Sequence, residues 1–193
     1  GSINLYMFHG GTNFGFMNGC SARGTLDLPQ VTSYDYGALL NEQGNPTEKY
    51  YAIQKMMATY YPEYPQQEPL IKECLPEQTL QLAAKTSLFG NLDNLAQVET
   101  SLYPEKMEEL GQTTGYLLYE TDLELDAEEE KLRIIDGRDR VQIYLDDQHV
   151  ATQYQTEIGE DLFIKGKKKA VTNLKILLEN MGRVNYGQDR KST

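Results

Sequence analysis

Near its start the chain reads Ile3-Asn4-Leu5-Tyr6-Met7-Phe8-His9-Gly10-Gly11-Thr12-Asn13-Phe14-Gly15-Phe16. Mostly apolar and aromatic residues run without a charge into the Gly10-Gly11 pair, and such a run is typical of a buried strand that ends at a sharp turn. We therefore predict a strand over residues 2–9 and a tight turn after it.

Polar side chains surround this predicted turn. They comprise three phenols, an imidazole and an amide, on Tyr6, Tyr34, Tyr36, His9 and Asn13. Glycines allow the backbone to come close to a ligand, and hydroxyl and amide groups hydrogen-bond to sugar-like molecules. The pattern indicates a cleft for a polyhydroxy ligand. The alternative is a loop whose tyrosines pack with their hydroxyls in water.

A helix is predicted after Asn45-Pro46-Thr47-Glu48. Asn45 can cap free amides, proline suits a first helical position, and Glu48 can reach back as in a capping box. Tyr50, Ile53 and Met57 follow at helical spacing.

The remainder of the chain divides into a proline-rich part and an alternating part. Prolines interrupt residues 60–76, which we interpret as a linker. Period-two patterns beyond it predict antiparallel strands, with turns at Asp136-Gly137 and Asp146-Asp147. The predicted strands are Gln78–Ala84, Gly115–Leu125, Lys131–Ile135, Arg140–Leu145, His149–Tyr154 and Asn173–Glu179.

Three motifs together carry a resemblance to a known family. They are Tyr6-Met7-Phe8-His9-Gly10-Gly11-Thr12-Asn13-Phe14-Gly15, Thr32-Ser33-Tyr34-Asp35-Tyr36 and Asn45-Pro46-Thr47-Glu48-Lys49-Tyr50. In this order and spacing they closely resemble the end of the catalytic barrel of family 35 glycoside hydrolases, the retaining exo-β-galactosidases. The later run Asn180-Met181-Gly182-Arg183-Val184-Asn185-Tyr186-Gly187 is similar to the β-domain that follows the barrel in that family.

The resemblance implies a fold for each part of the chain. Residues 1–59 would supply the last strand and helix of a (β/α)8 TIM barrel, with the loop 10–45 over the face where such barrels keep their active sites. Residues 60–76 would be the linker, and residues 77–193 an all-β antiparallel sandwich that is incomplete.

The resemblance also implies a reaction and the residues that serve it. Two glutamates act in that family, and by resemblance both lie upstream of this chain, in the missing N-terminal barrel of the same polypeptide; we therefore expect the chain alone to be inactive. Substrate contacts are assigned to Tyr36 first, then to Tyr6, Tyr34 and Asn13. Because two carboxylates suffice for glycoside hydrolysis, no cofactor is implied.

Three further residues have supporting roles in this interpretation. Asp35 could act as an acid or base, but its flanking tyrosines favour a hydrogen-bonding role that holds Tyr34 and Tyr36 in place. His9 would lie behind the substrate contacts. Tyr186 would face the aglycone side, or else belong to a structural turn.

Charge and composition exclude other classes of function. The formal net charge of -11 repels nucleic acid and anionic lipid surfaces, and no apolar run is long enough to cross a bilayer. Only Cys20 and Cys74 are present, without the spacing of a metal site. The expected partner is a β-galactoside substrate. A non-catalytic carbohydrate-binding or structural β-module is the alternative function.

Overall fold

The computed structural model of the chain describes residues 2–166 and 168–188. Backbone contacts divide the chain into two compact units. The first comprises Gly1–Asn18 and Gln30–Leu80, and the second comprises Gly19–Pro29 and Gln81–Thr193.

Among its described residues, the first unit contains one helix and a set of isolated backbone bridges. The helix α1 spans Glu48–Tyr60, as the sequence predicts. Residues 3–8 are irregular, and His9 forms a single parallel bridge with Leu40, so the predicted strand over residues 2–9 is not formed. A parallel strand exists only through its ladder partners, and no described residue continues the pairing beyond that bridge. The described residues do not form a barrel.

The start of α1 differs from the predicted cap. Thr47 is the N-cap residue, and its hydroxyl donates to the Leu39 carbonyl at 2.8 Å rather than accepting from the helix. The Asn45 side chain instead pairs with the backbone of Lys72, donating to its carbonyl at 3.0 Å and accepting from its amide at 2.7 Å. The predicted capping by Asn45 and Glu48 is therefore wrong.

The described part of the second unit is mostly β-structure, and antiparallel pairing dominates it. The strands are β1 (Gly19–Arg23), β2 (Leu26–Pro29), β3 (Gly115–Glu124), β4 (Glu129–Leu132), β5 (Arg140–Leu145), β6 (Gln148–Tyr154), β7 (Leu162–Lys165), β8 (Val171–Asn180) and β9 (Arg183–Tyr186). Three sheets result, ordered β3-β8-β5-β6, β4-β7 and β2-β1-β9. A short helix α2 (Leu92–Leu95) follows the 3-10 turn Phe89–Asn91.

The core of the second unit lies on one face of the four-stranded sheet. Val141, Ile143 and Leu145 alternate along β5 and are buried, and Leu174 joins them from β8. Ile164 of β7 belongs to the same cluster. Two sheets thus share one apolar core, and the prediction of an all-β antiparallel region is confirmed.

Some local predictions fail here. Residues 78–84 are not a strand in the structure, although their pattern alternates, and the Asp136-Gly137 bend does not join paired strands, because β4 pairs with β7 rather than with β5. By contrast, Asp146 and Asp147 both have positive φ, as a two-residue turn between β5 and β6 requires.

None of the helices among the described residues combines the length and apolar character that a bilayer crossing demands.

Candidate functional site

Three tyrosines of the first unit lie together, and we call them the tyrosine cluster: Tyr6, Tyr34 and Tyr36. The Tyr6 and Tyr36 rings meet edge to face with centroids 6.3 Å apart. The Tyr34 and Tyr36 centroids are 5.5 Å apart. Tyr6 and Tyr36 are 77% and 66% exposed, so the cluster presents aromatic faces and hydroxyls to the solvent. The structure thus brings together residues from two of the sequence motifs.

The phenol of Tyr34 is kept in its protonated form. Loss of hydration raises its pKa above the ordinary value, and the neighbouring Tyr6 hydroxyl, which shares a hydrogen bond with it, and Tyr36 raise it further. At neutral pH the hydroxyl therefore remains both a donor and an acceptor. Such a group can either donate a hydrogen bond to a sugar hydroxyl or accept one from it.

Tyr36 owes its position to an unusual backbone turn. Its φ is 57° and that of Gly37 is 61°, both in the left-handed region. The turn is closed by the Ala38 amide, which donates to the Asp35 carbonyl at 3.1 Å, and the Lys49 ammonium donates to the Gly37 carbonyl at 2.7 Å. The left-handed conformation costs a residue with a Cβ about 1–2 kcal/mol, and costs of this kind are concentrated at functional sites.

Backbone hydrogen bonds connect the two motifs that carry the cluster. The Tyr34 amide donates to the Gly11 carbonyl at 2.9 Å, and the Asn13 amide donates to the Thr32 carbonyl at 2.8 Å. The Asn13 side-chain amide donates to the Gln30 carbonyl at 2.7 Å. In this structure Asn13 therefore holds the two segments together, and a sugar contact from Asn13 stays a prediction.

Gly10 is required by the close approach of these segments. A Cβ placed there would lie 1.6 Å from the Tyr34 carbonyl oxygen and 2.9 Å from that of Asp35. Real Cβ atoms do not approach backbone so closely, so every other residue would push the motifs apart. The sequence signal of Gly-Gly after an apolar run thus marks a real steric need.

A shallow depression of about 470 Å³ lies in the same unit and is lined by polar side chains: Ser33, Asp35, Asn41, Glu42 and Gln43. His9 contacts one of these residues, since its Nε2 donates to the Glu42 carbonyl at 3.3 Å. The Asp35 amide donates to the Ser33 hydroxyl at 3.3 Å. The Asp35 carboxylate accepts no hydrogen bond from Tyr34 or Tyr36 among the residues described, so its role of holding them stays a prediction.

Sequence reasoning did not select Asn41, Glu42 and Gln43, which line this depression. A signal was present. The Asn41 side-chain oxygen accepts from the amides of Gln43 and Asn45, and a bond of this kind to the amide two residues on is typical of Asn in turns. The run Asn41-Glu42-Gln43-Gly44 could have indicated a polar turn beside the helix start.

Tyr186 belongs to the second unit. It lies on β9, where it pairs with Ser21, and its side chain is 68% exposed. A contact with the aglycone therefore stays a prediction. Groups of three or more metal-ligand side chains were not found within residues 2–166 and 168–188. What the described site offers chemically is hydrogen bonding and aromatic surface.

Two family profiles match separate parts of the chain. Residues 1–60 match the one described as Glycosyl hydrolases family 35, and this range contains the whole tyrosine cluster and α1. Residues 104–193 match the one described as Beta-galactosidase, first all-beta domain, which covers strands β3 to β9.

Curated relatives agree with both profiles. Beta-galactosidase 1 of Dictyostelium discoideum is 36% identical over 98% of this chain and 32% of its own length. Beta-galactosidase of Xanthomonas manihotis is 37% identical over 96% of this chain and 31% of its own length. Beta-galactosidase-1-like protein 2 of Homo sapiens is 38% identical over 97% of this chain and 29% of its own length. The chain spans about a third of the length of these relatives. The chain therefore belongs to glycosyl hydrolase family 35.

Proposed function

We propose that this chain is part of a retaining exo-β-galactosidase and that the tyrosine cluster forms one wall of its galactose-binding site. The observation that carries the proposal is the geometry of Tyr36, an exposed phenol held in a left-handed turn against Tyr34 and Tyr6. The relatives named as β-galactosidases support the substrate class.

The chemistry of the cluster suits a terminal galactosyl unit. Phenol hydroxyls can donate to and accept from sugar hydroxyls, while aromatic rings pack against the apolar face of a sugar ring. The polar depression lined by Asp35 and Glu42 offers further acceptors. In the proposed role Tyr36 contacts the sugar directly, Tyr6 and Tyr34 complete the wall, and Asp35 and His9 support it from behind.

The catalytic carboxylates are proposed to lie outside this chain. A retaining mechanism needs two carboxyl groups about 5–5.5 Å apart, one protonating the leaving oxygen and the other attacking the anomeric carbon. The sequence holds no glutamate between Gly1 and Asn41, where the loop with the tyrosines lies. The chain therefore binds and orients the sugar, and the rest of the polypeptide supplies the chemistry.

The proposal also assigns a role to each part of the chain. Residues 1–59 are proposed as the last strand and helix of a TIM barrel, residues 60–76 as a linker and residues 77–193 as the following β-domain. The apolar side chains of α1 support this role. None of the residues of α1 is buried, and a barrel helix needs a partner surface against which such side chains pack. Tyr186 is proposed to reach the aglycone side.

The test is hydrolysis of a chromogenic β-galactoside by the whole natural polypeptide and by the 193-residue chain alone. We expect activity only in the whole polypeptide, with β-galactose as the first product in proton NMR. Tyr36→Phe removes one hydroxyl, and we expect the KM to rise about tenfold, the cost of one hydrogen bond to a sugar. Tyr60→Phe, a change at an exposed tyrosine of α1, is the matched control and should leave KM unchanged.

Two outcomes would overturn the proposal. Hydrolysis by the short chain would place the catalytic groups within it, and Asp35 would be the first residue to change to Asn. Binding of galactose without hydrolysis by the whole polypeptide would favour a non-catalytic carbohydrate-binding module.

A further inference from the structure

A hairpin from the family 35 segment is built into the sheet of the β-domain segment. β1 and β2 form an antiparallel pair joined at Gly24-Thr25, and the other edge of β1 pairs in parallel with β9. The hairpin lies within residues 1–60 and β9 within residues 104–193, the ranges that two different profiles match. All three strands belong to the second unit.

This hairpin, which we call the tip, is the far end of a longer loop that leaves the first unit after residue 18 and re-enters it at residue 30. Its base lies in the first unit, where Gly11 and Asn13 bond to the segment from Gln30 to Tyr34. The second strand of the hairpin leads directly into the base. β2 ends at Pro29, and the carbonyl of the next residue, Gln30, accepts from the Asn13 side chain at 2.7 Å. The base therefore continues covalently from the tip.

Gln155 binds the tip through two hydrogen bonds. Its side-chain oxygen accepts from the Asp27 amide at 3.2 Å, and its Nε2 donates to the Asp27 carbonyl at 2.7 Å. A side-chain amide here copies the pairing that a neighbouring strand would give to β2. The same Nε2 lies 2.7 Å from the Tyr154 hydroxyl, which fixes its orientation.

Close packing on the opposite edge leaves the tip little freedom. Cys20 of β1 is fully buried. A Cβ on Gly187 would lie 2.2 Å from the Ala22 carbonyl oxygen, and one on Gly19 would lie 2.4 Å from the Asn185 side-chain nitrogen. The hairpin is thus held by β9 on one side and by Gln155 on the other.

We propose that Gln155 is a positioning residue for the loop segments that carry Asn13 and the sugar-binding group Tyr34. Only two residues separate Asp27 from Gln30, so a displacement of β2 at Asp27 moves the carbonyl groups to which Asn13 bonds. Gln155 acts through this covalent path and does not touch the sugar. The sugar-binding part of the proposal rests on the proposed function.

The first experiment compares Gln155→Met with Gln148→Met in the whole polypeptide. Methionine keeps the length of the side chain and removes both hydrogen bonds. Gln148 is exposed at the start of β6, and its side chain forms no hydrogen bond within the described ranges. For Gln155→Met we expect the KM for a chromogenic β-galactoside to rise about tenfold with kcat within about twofold, because a misplaced binding group weakens binding rather than chemistry. The control should change neither.

A double-variant cycle separates positioning from general damage. In a Tyr34→Phe background, Gln155→Met should raise KM about threefold or less, because the group that it positions is already impaired. Gln155→Glu keeps the acceptor for the Asp27 amide and should fall between wild type and Gln155→Met; it also serves if the Met variant does not fold. Equal KM effects in both backgrounds, or an unchanged KM, would overturn the proposal.

Hydrogen exchange makes the result independent of the galactosidase activity. The amides of Asn13 and Tyr34 should exchange about tenfold faster in Gln155→Met, and at the wild-type rate in Gln148→Met. If the polypeptide hydrolyses no β-galactoside but this difference is observed, the proposed function fails while the positioning by Gln155 stands. Unchanged exchange at both amides overturns the positioning whatever the activity.

Discussion

The four-stranded sheet of the second unit and the tyrosine cluster of the first unit are held in place by different means. In the sheet, ladders of up to ten residue pairs link β3 and β8, and β5 buries one whole face. Around the tyrosine cluster there are isolated bridges and single backbone bonds, and the aromatic side chains are exposed. Long ladders and a shared core stabilise the sheet without regard to any ligand.

The difference teaches where each region is vulnerable. In the sheet, side-chain volume should matter most, because the interior is closely packed. In the loop of the tyrosine cluster, backbone clearance should matter most, because a Cβ on Gly10 would lie 1.6 Å from the Tyr34 carbonyl oxygen. Stability should therefore respond most to changes in the four-stranded sheet, and activity should respond most to changes in the loop of the tyrosine cluster.

The largest effect on stability is expected from Ile143→Ala in β5. Ile143 is fully buried in the core cluster, so its removal should lower the free energy of unfolding by about 3–4 kcal/mol, the lost burial plus the cavity left behind. Urea denaturation followed by circular dichroism measures it. Ile135→Ala, at a side chain that is 76% exposed, is the control and should stay within about 0.5 kcal/mol. Equal losses in both variants would contradict a core centred on β5.

Gly10→Ala tests the loop of the tyrosine cluster. The new Cβ meets the Tyr34 carbonyl, so the motifs must separate and the tyrosines move. We expect kcat/KM for a β-galactoside to fall about 100-fold in the whole polypeptide, as a displacement of about 1 Å can produce.

The matched control is Gly15→Ala. Gly15 has a φ of 59°, but no atom lies within 4 Å of the place that a Cβ would occupy, so the change adds backbone strain without a clash. Its kcat/KM should fall less than about tenfold, given a strain of about 1–2 kcal/mol in a loop. Similar losses in both variants would mean that glycine flexibility, not clearance at Tyr34, governs the site.

The sheet could be predicted from sequence largely because its pattern is local. Val141, Ile143 and Leu145 alternate, and β5 was predicted with its observed bounds, Arg140–Leu145. The two-residue turn Asp146-Asp147 fixed the start of the next strand to within one residue, at Gln148 rather than His149. Where alternation and turn chemistry agree, the neighbouring strands follow.

The hairpin β1–β2 is not predicted because its strands carry little strand signal of their own, and the pairing of β1 with β9 is not local. Gly19–Arg23 contains little that favours a strand, and it becomes one by pairing with residues about 160 positions later, at Arg183–Tyr186. In the opposite direction, the alternating Leu80 and Leu82 predicted a strand that finds no partner among the described residues. The tyrosines of the cluster were found from their motifs, whereas the depression beside them needed the turn at Asn41.

A smaller effect tests whether charge stabilises the sheet. The Lys175 ammonium lies 2.5 Å from Asp147 and 3.4 Å from Glu120, and 5.2 Å from the centre of the Phe89 ring. Its side chain is 11% exposed, and we expect Lys175→Met to lower the free energy of unfolding by about 1 kcal/mol.

Lys165→Met is the control for that change. Lys165 pairs with Glu129 at 3.1 Å but is 76% exposed, so water and salt screen the pair and the loss should be within about 0.5 kcal/mol. Urea denaturation at low and high salt measures both. A larger loss of unfolding free energy for Lys165→Met than for Lys175→Met would show that burial of the lysine does not determine how much these ion pairs stabilise the sheet.

The smallest effect is expected at the edge of the two-stranded sheet, where Asp161 faces Arg133 and Lys131. The hydrogen bond from Arg133, at 2.6 Å, holds the pKa of the Asp161 carboxyl below its ordinary value, and Lys131 lowers it further. A lowered folded-state pKa means that the ionised group stabilises the fold above the ordinary pKa, about 3.9, and that this contribution disappears as the pH falls through the lower folded value. The stability difference between wild type and Asp161→Asn should therefore be constant from about pH 7 to about pH 5 and shrink below about pH 4. A stability difference that grows on acidification would exclude the ion pair as its cause.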